Sequence, residues 1–164
     1  MPKLWLTALV VTAGMAASAA WAEGPVPACD LLTPAAIAEA AAAPVEPDGS
    51  SGDAGAGKCR WRVGDDRLVS ATLVTEATLG VTGGSVLDYF RQAERNFRDS
   101  VPPEETRELP GIGLRAYLFS TAVNNPDEAV SVTATNGRDF ITIDTFGLPE
   151  SVAIELARQA VARR

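Results

Sequence analysis

The chain has no histidine, two cysteines and only 6% aromatic residues in 164 positions. With no imidazole, the Ser-His-Asp and Cys-His nucleophile arrangements and every histidine metal site are excluded. Lysine is nearly as scarce. Lys58 is the only one after Lys3, and no S-x-x-K pattern precedes it, which removes a serine–lysine dyad. Past the N-terminal stretch, no run is long and apolar enough to span a bilayer. Positive charge is also in short supply: 14 Lys and Arg stand against 21 Asp and Glu, a formal charge of −7. A polyanion is repelled by such a surface at long range, so nucleic acid is a poor partner.

What is present begins with a leader. Lys3, the uncharged and mostly apolar stretch from Leu4 to Ala20, and Ala20-Trp21-Ala22 before Glu23 follow the charged, apolar, small-x-small order of a secretory signal peptide. Residues 1–22 are expected to be removed, leaving 23–164 as one exported domain, periplasmic or secreted. Cys29 and Cys59 both remain, and an even count in an exported domain reads first as a disulfide. A competing reading makes Cys29 a lipid-attachment site, because Val26-Pro27-Ala28-Cys29 loosely resembles a lipobox. Pro27 and the polar Glu23 and Gly24 argue against lipidation, which would also leave Cys59 a free thiol in an oxidising compartment.

Thr33 and Pro34 are a helix start, hydroxyl at the cap and proline at the first position, with a helix expected to about Ala43 before Pro44. Residues 44–57, rich in Gly, Ser, Asp and Pro, read as a flexible solvated loop. Two strands, 58–63 and 67–77, flank Gly64-Asp65-Asp66 as a hairpin. Ser85 and Asp88 form a capping box for a second helix, whose Val86, Tyr89, Phe90, Ala93 and Phe97 share one stripe. After an acidic turn, 114–120 is a third strand, and 129–135 and 139–146 flank Asn136-Gly137 as a second hairpin. Pro149 and Glu150 open a final helix. The order α-β-β-α-β-β-β-α predicts an α+β domain: an antiparallel sheet of about five strands, helices packed on one face, one disulfide.

Gly52 to Cys59 nearly fits the phosphate-binding loop G-x-x-x-x-G-K-[ST]. It fails because Cys59 stands where a magnesium-ligating hydroxyl is needed, and because the stretch enters a strand, not a helix N-terminus. Among acids, Asp48/Asp53, Asp65/Asp66, Glu104/Glu105 and Asp127/Glu128 are candidates for paired-carboxylate chemistry or calcium. All fall in expected turns and none has calcium-loop spacing, so they read as solvated turn residues, and no metal or cofactor is expected.

The most suggestive stretch is Lys58-Cys59-Arg60-Trp61-Arg62-Val63. In a strand it sends Lys58, Arg60 and Arg62 to one face and Cys59, Trp61 and Val63 to the other. With Trp61 and Val63 in the core, the same parity adds Ser70 and Thr72, Arg115 and Tyr117, and Ser131 and Thr133 to the basic face. Lys58, Arg60, Arg62, Arg115 and Tyr117 are thus candidate ligand-binding residues. The plainer reading, a wet sheet face whose cations discourage edge pairing, carries more weight on parity alone.

Cys29-Asp30-Leu31-Leu32-Thr33-Pro34, then Cys59-Arg60-Trp61, then Leu109 to Tyr117 with Gly111, Gly113, Ala116 and Tyr117, together resemble a domain-of-unknown-function family of small secreted, often lipidated, actinobacterial proteins. Leu114 and Arg115 depart from that family's turn, and the separate upstream lipidated cysteine is missing. The resemblance implies a Cys29–Cys59 disulfide and an extracytoplasmic address, and brings no activity. The expected function is a non-enzymatic binding, sensing or accessory module for an envelope component or protein. A small carboxylate-dependent envelope hydrolase and a secreted inhibitor of another protein are the alternatives.

Overall fold

The computed structural model describes residues 27–53, 56–79, 84–100, 106–120 and 129–164; the signal-peptide expectation lies outside them. A 3-10 turn (Pro27–Asp30) leads into α1 (Pro34–Ala41), where the Thr33 hydroxyl accepts from the Ala36 amide at 3.2 Å, as the cap signal predicts. The helix ends two residues early. Ala42 takes a left-handed conformation, φ 49°, and its amide bonds back to the Ala38 carbonyl.

Seven strands follow: β1 (Val45–Asp53), β2 (Ala56–Val63), β3 (Arg67–Thr75), β4 (Thr106–Glu108), β5 (Arg115–Ser120), β6 (Ala129–Thr135) and β7 (Asp139–Phe146). Between β3 and β4 lie α2 (Glu76–Leu79) and α3 (Val86–Ser100), and α4 (Glu150–Ala162) closes the chain. The sheet is wholly antiparallel, in the order β1-β2-β3-β7-β6-β5-β4. The α+β class and the five expected strands are present, and two strands are added. The expected loop at 44–57 contains β1, which runs along the outer edge of β2 from Val45↔Val63 to Asp53↔Ala56. Its composition has almost no strand propensity, so pairing to β2 supplies what the residues do not. An edge also tolerates Pro47, and a bulge between Pro47 and Gly49 absorbs the irregularity. β4 has only three residues, too few to announce themselves in an acidic turn.

The helices divide between the two faces instead of sharing one. Beneath the first face lie Leu31, Leu32, Ile37 and α4's Val152, Leu156 and Ala160, against Trp61, Val63, Val69, Ile141 and Ile143. The Cys29–Cys59 disulfide, Cα–Cα 5.1 Å, ties the 3-10 turn to β2 on this side. On the second face α3 sets Val86 and Phe90, with Ala93 and Phe97, against Val74, Tyr117, Phe119 and Phe140. The capping box starts that helix: the Asp88 amide donates to Ser85 Oγ at 3.1 Å, and Ser85 Oγ donates to the Asp88 carboxylate at 2.8 Å. The reason for the split lies in β5, whose residues 116–120 are buried on both sides. A strand apolar on both faces needs a cover on each.

Candidate functional site

α3 packs against the β5–β7 end of the second face and against Val74 of β3, and the described residues place no helix over the rest of the β1–β3 end. Register places three rows of side chains across this part of the face, of which Ser70 and Thr133 are themselves buried, at 9% and 3% exposure. Arg62, Leu68, Phe146 and Ala129 form the first, Arg60, Ser70, Asp144 and Ser131 the second, and Lys58, Thr72, Thr142 and Thr133 the third. A depression of about 260 Å³ opens among them, bounded by Lys58, Arg60, Leu68, Asp144 and Phe146.

The parity reading of the sequence is upheld: Cys59, Trp61 and Val63 are buried and Arg60 and Arg62 exposed. The five candidate residues nevertheless belong to two places. Lys58, Arg60 and Arg62 stand on the open half, whereas Arg115 and Tyr117 fasten α3. Tyr117 is 2% exposed, with the Arg98 and Arg115 guanidinium carbons each 5.4 Å from its ring centre. Glu94 sits between the two arginines, 3.0 Å from Arg98 and 3.6 Å from Arg115. Burial, and then the hydrogen bond to Glu94, push the Tyr117 phenol above its ordinary value.

The open half is not a basic surface. Asp48, read from the sequence as a solvated turn residue, is carried by the β1 bulge to 3.6 Å from Arg60 and 3.2 Å from Arg62. Glu46 pairs across from Arg62, and Asp144 lies two strands in. Three carboxylates therefore stand among three cations. Such exposed pairs add little stability, but they cancel the field a polyanion would feel.

Asp144 is the residue that sequence reading missed at the centre of this face. Ser131 Oγ donates to its Oδ1 at 2.7 Å and Ser70 Oγ to its Oδ2 at 3.1 Å. Each oxygen keeps a lone pair for a further donor, and no described cation lies within ion-pair distance of either. Beside it, Leu68 and Phe146 oppose each other across β3 and β7 at 40% and 43% exposure. The signal was available: in β7 the alternation Phe140, Thr142, Asp144, Phe146 places one carboxylate and two aromatic rings on a single face.

Among the described residues, the other acids are held elsewhere. Asp48 and Asp144 belong to strands three positions apart in the sheet and are held by different partners, Asp48 by Arg60 and Arg62 and Asp144 by Ser70 and Ser131. Asp65 and Asp66 are exposed in the β2–β3 turn. Glu104/Glu105, Asp127/Glu128 and the side chain of Asp53 lie outside the described residues. Among those described, no three His, Cys, Asp or Glu side chains converge as a metal site. Among the described residues, no helix is long and apolar enough to cross a membrane.

The motifs behind the family resemblance have structural places. Cys29 to Pro34 forms the 3-10 turn and helix cap, Cys59 and Trp61 are core residues of β2, and Gly111 and Gly113 make the turn into β5 at φ 79° and 59°. Comparison with known proteins finds no matching family model, no matching curated protein and no matching solved structure.

Proposed function

We propose that the protein is a non-enzymatic extracytoplasmic binding domain whose ligand surface is the helix-free half of the second sheet face. The observation that carries this reading is the pairing of a half-buried carboxylate without an ion-pair partner among the described residues, Asp144, with the exposed Leu68 and Phe146 in one depression. A purely solvated strand face favours hydroxyls and paired charges, and two large apolar side chains beside an unpaired acid are what a small-ligand surface needs. The address rests on the leader-like N-terminus, the oxidised Cys29–Cys59 pair and the motifs shared with the small secreted actinobacterial family. A thioether lipid on Cys29 is incompatible with that bond, because its sulfur is already bridged.

The absence of histidine from the sequence, together with the engagement of Asp48 by Arg60 and Arg62, favours binding over hydrolysis. Titrating isotope-labelled protein with small peptides, neutral glycans and anionic lipids, and following backbone resonances, tests the reading. Shifts clustered on β2, β3 and β7 support it. Shifts confined to the α1/α4 side, or substrate turnover abolished by replacing one carboxylate, overturn it.

A further inference from the structure

We infer that the open half-sheet, read as the binding surface above, takes a short zwitterionic peptide: a di- or tripeptide with a free N-terminal ammonium, an apolar first side chain and a free carboxylate. The inference depends on that binding reading and narrows it to one ligand class. It rests on charge complementarity. Arg60 and Arg62 are already engaged by Asp48, which leaves two charges of the depression with no ion-pair partner among the described residues, the Asp144 carboxylate and the Lys58 ammonium. One unpaired charge of each sign calls for a ligand carrying both. A polyanion or a simple cation would satisfy only one.

The spacing fixes the order of groups. Asp144 lies in the middle row, Leu68 and Phe146 in the row on one side and Lys58 in the row on the other. An ammonium on Asp144 thus places the first side chain on the Leu68–Phe146 pair and sends the rest of the ligand toward Lys58. Between the Cα atoms of Asp144 and Lys58, two strand spacings and two residues of rise give about 12 Å. The two side chains close part of that gap. A dipeptide reaches at most about 7 Å and a tripeptide about 10 Å, whereas a single amino acid holds its charges too close together to meet both residues.

The carboxylate is prepared for such a guest. Ser70 and Ser131 fix its plane by bonding one oxygen each, so an ammonium meets a charge-assisted acceptor whose orientation is already set. The depression, at about 260 Å³, falls below the roughly 300–1,000 Å³ of drug-sized ligand sites. That size suits a peptide of two or three residues and excludes a helix of a partner protein.

Leucyl-leucine is the probe, compared by backbone chemical-shift titration with N-acetyl-leucyl-leucine, leucyl-leucinamide and a neutral disaccharide of N-acetylglucosamine. Binding of leucyl-leucine is expected at about millimolar strength, given the open site. N-acetylation and Asp144→Asn should each weaken it about tenfold or more, the range of a lost charge-assisted bond. Amidation of the carboxylate should weaken it severalfold in the wild type and not in Lys58→Gln, a surface change that leaves folding intact even where Asp144→Asn does not. Equal binding of the free and acetylated peptides overturns the inference, as does no response to leucyl-leucine. If the disaccharide alone shifts β3 and β7, the zwitterion is overturned while the surface assignment stands. Shifts confined to the opposite face overturn both.

Discussion

The turn at Gly111-Ile112-Gly113 allows two effects of glycine to be separated. Both glycines have positive φ, 79° and 59°. A Cβ on Gly111 meets nothing within 4 Å, whereas on Gly113 it would stand 2.6 Å from the backbone oxygen of Thr135. Gly111→Ala therefore carries only the left-handed cost of about 1–2 kcal/mol, offset by about 0.4–1 kcal/mol of lost unfolded-state entropy. The net loss is under about 1.5 kcal/mol. Gly113→Ala carries the same cost and also forces β5 away from β6 at the point where the Leu114 amide donates to that oxygen at 2.7 Å. Losing or stretching that bond adds about 1 kcal/mol, and displacing a carbonyl fixed in a sheet adds more, for a total of about 2–4 kcal/mol. At about 3 °C per kcal/mol for a chain of this size, Gly113→Ala should melt about 6–12 °C below wild type and Gly111→Ala no more than about 4 °C below. Differential scanning calorimetry on both variants reads this directly. Equal melting temperatures would show that the close approach of residue 113 to β6 does not exist in the folded protein.

Replacing Cys29 and Cys59 together by Ala should cost about 3–4 kcal/mol, measured by urea unfolding; wild type in strong reductant should match the variant, and a loss under 1 kcal/mol would refute the account. Phe90→Ala should cost about 3–5 kcal/mol and, because Phe90 belongs to the small second core, should raise amide exchange in α3 more than in α4. Uniform acceleration across both helices would contradict two separate cores. The raised phenol of Tyr117 has a definite linkage sign. Its unfolded form ionises first, so its contribution to stability is complete below pH 10 and is lost as pH rises through the folded value. A Tyr89→Phe protein, in which Tyr117 is the only tyrosine left, should show phenolate absorbance rising only above pH 10 until the protein unfolds. A transition at or below pH 10 in folded protein would remove the basis for burial under α3.

The elements legible in the sequence were those whose own residues decide them. Thr33-Pro34, Ser85 with Asp88, and Asn136-Gly137 are local signals, and each sits where the cap or turn is found. In the Asn136 turn, its Oδ1 accepts from the Arg138 and Asp139 amides at 2.9 and 2.8 Å, an arrangement Asn makes without outside help. β1 was illegible because nothing within 44–57 except Val45 prefers a strand. Its state is set by the free edge of β2, a partner visible only in three dimensions. Parity located the basic side chains on the correct face, but parity is blind to what lies above a face. The sign that α3 would cover Tyr117 but not Arg60 was in the strands themselves, continuous apolar residues in β5 against strict alternation in β2.

That contrast also bears on whether the open half is merely leftover surface. Were α3 simply too short to cover a face built for it, the uncovered positions would repeat the apolar pattern of Tyr117, Phe119 and Phe140. They do not, since Ser70, Thr72, Thr142 and Ser131 supply hydroxyls and Arg60, Lys58 and Asp144 supply charge. The half-face is therefore specified as polar by its own residues. Within a polar face, the exposed Leu68–Phe146 pair is the exception: a cross-strand apolar pair adds only about 0.2–1 kcal/mol to the sheet, and Thr–Thr pairs such as Thr133 and Thr142, 3.3 Å apart one row away, serve the same end without exposing apolar surface. Sheet stability thus accounts for the hydroxyl rows and leaves Leu68, Phe146 and the uncompensated Asp144 to be accounted for together. They adjoin one another in the same depression, where a ligand with an apolar group beside a hydrogen-bond donor would account for all three.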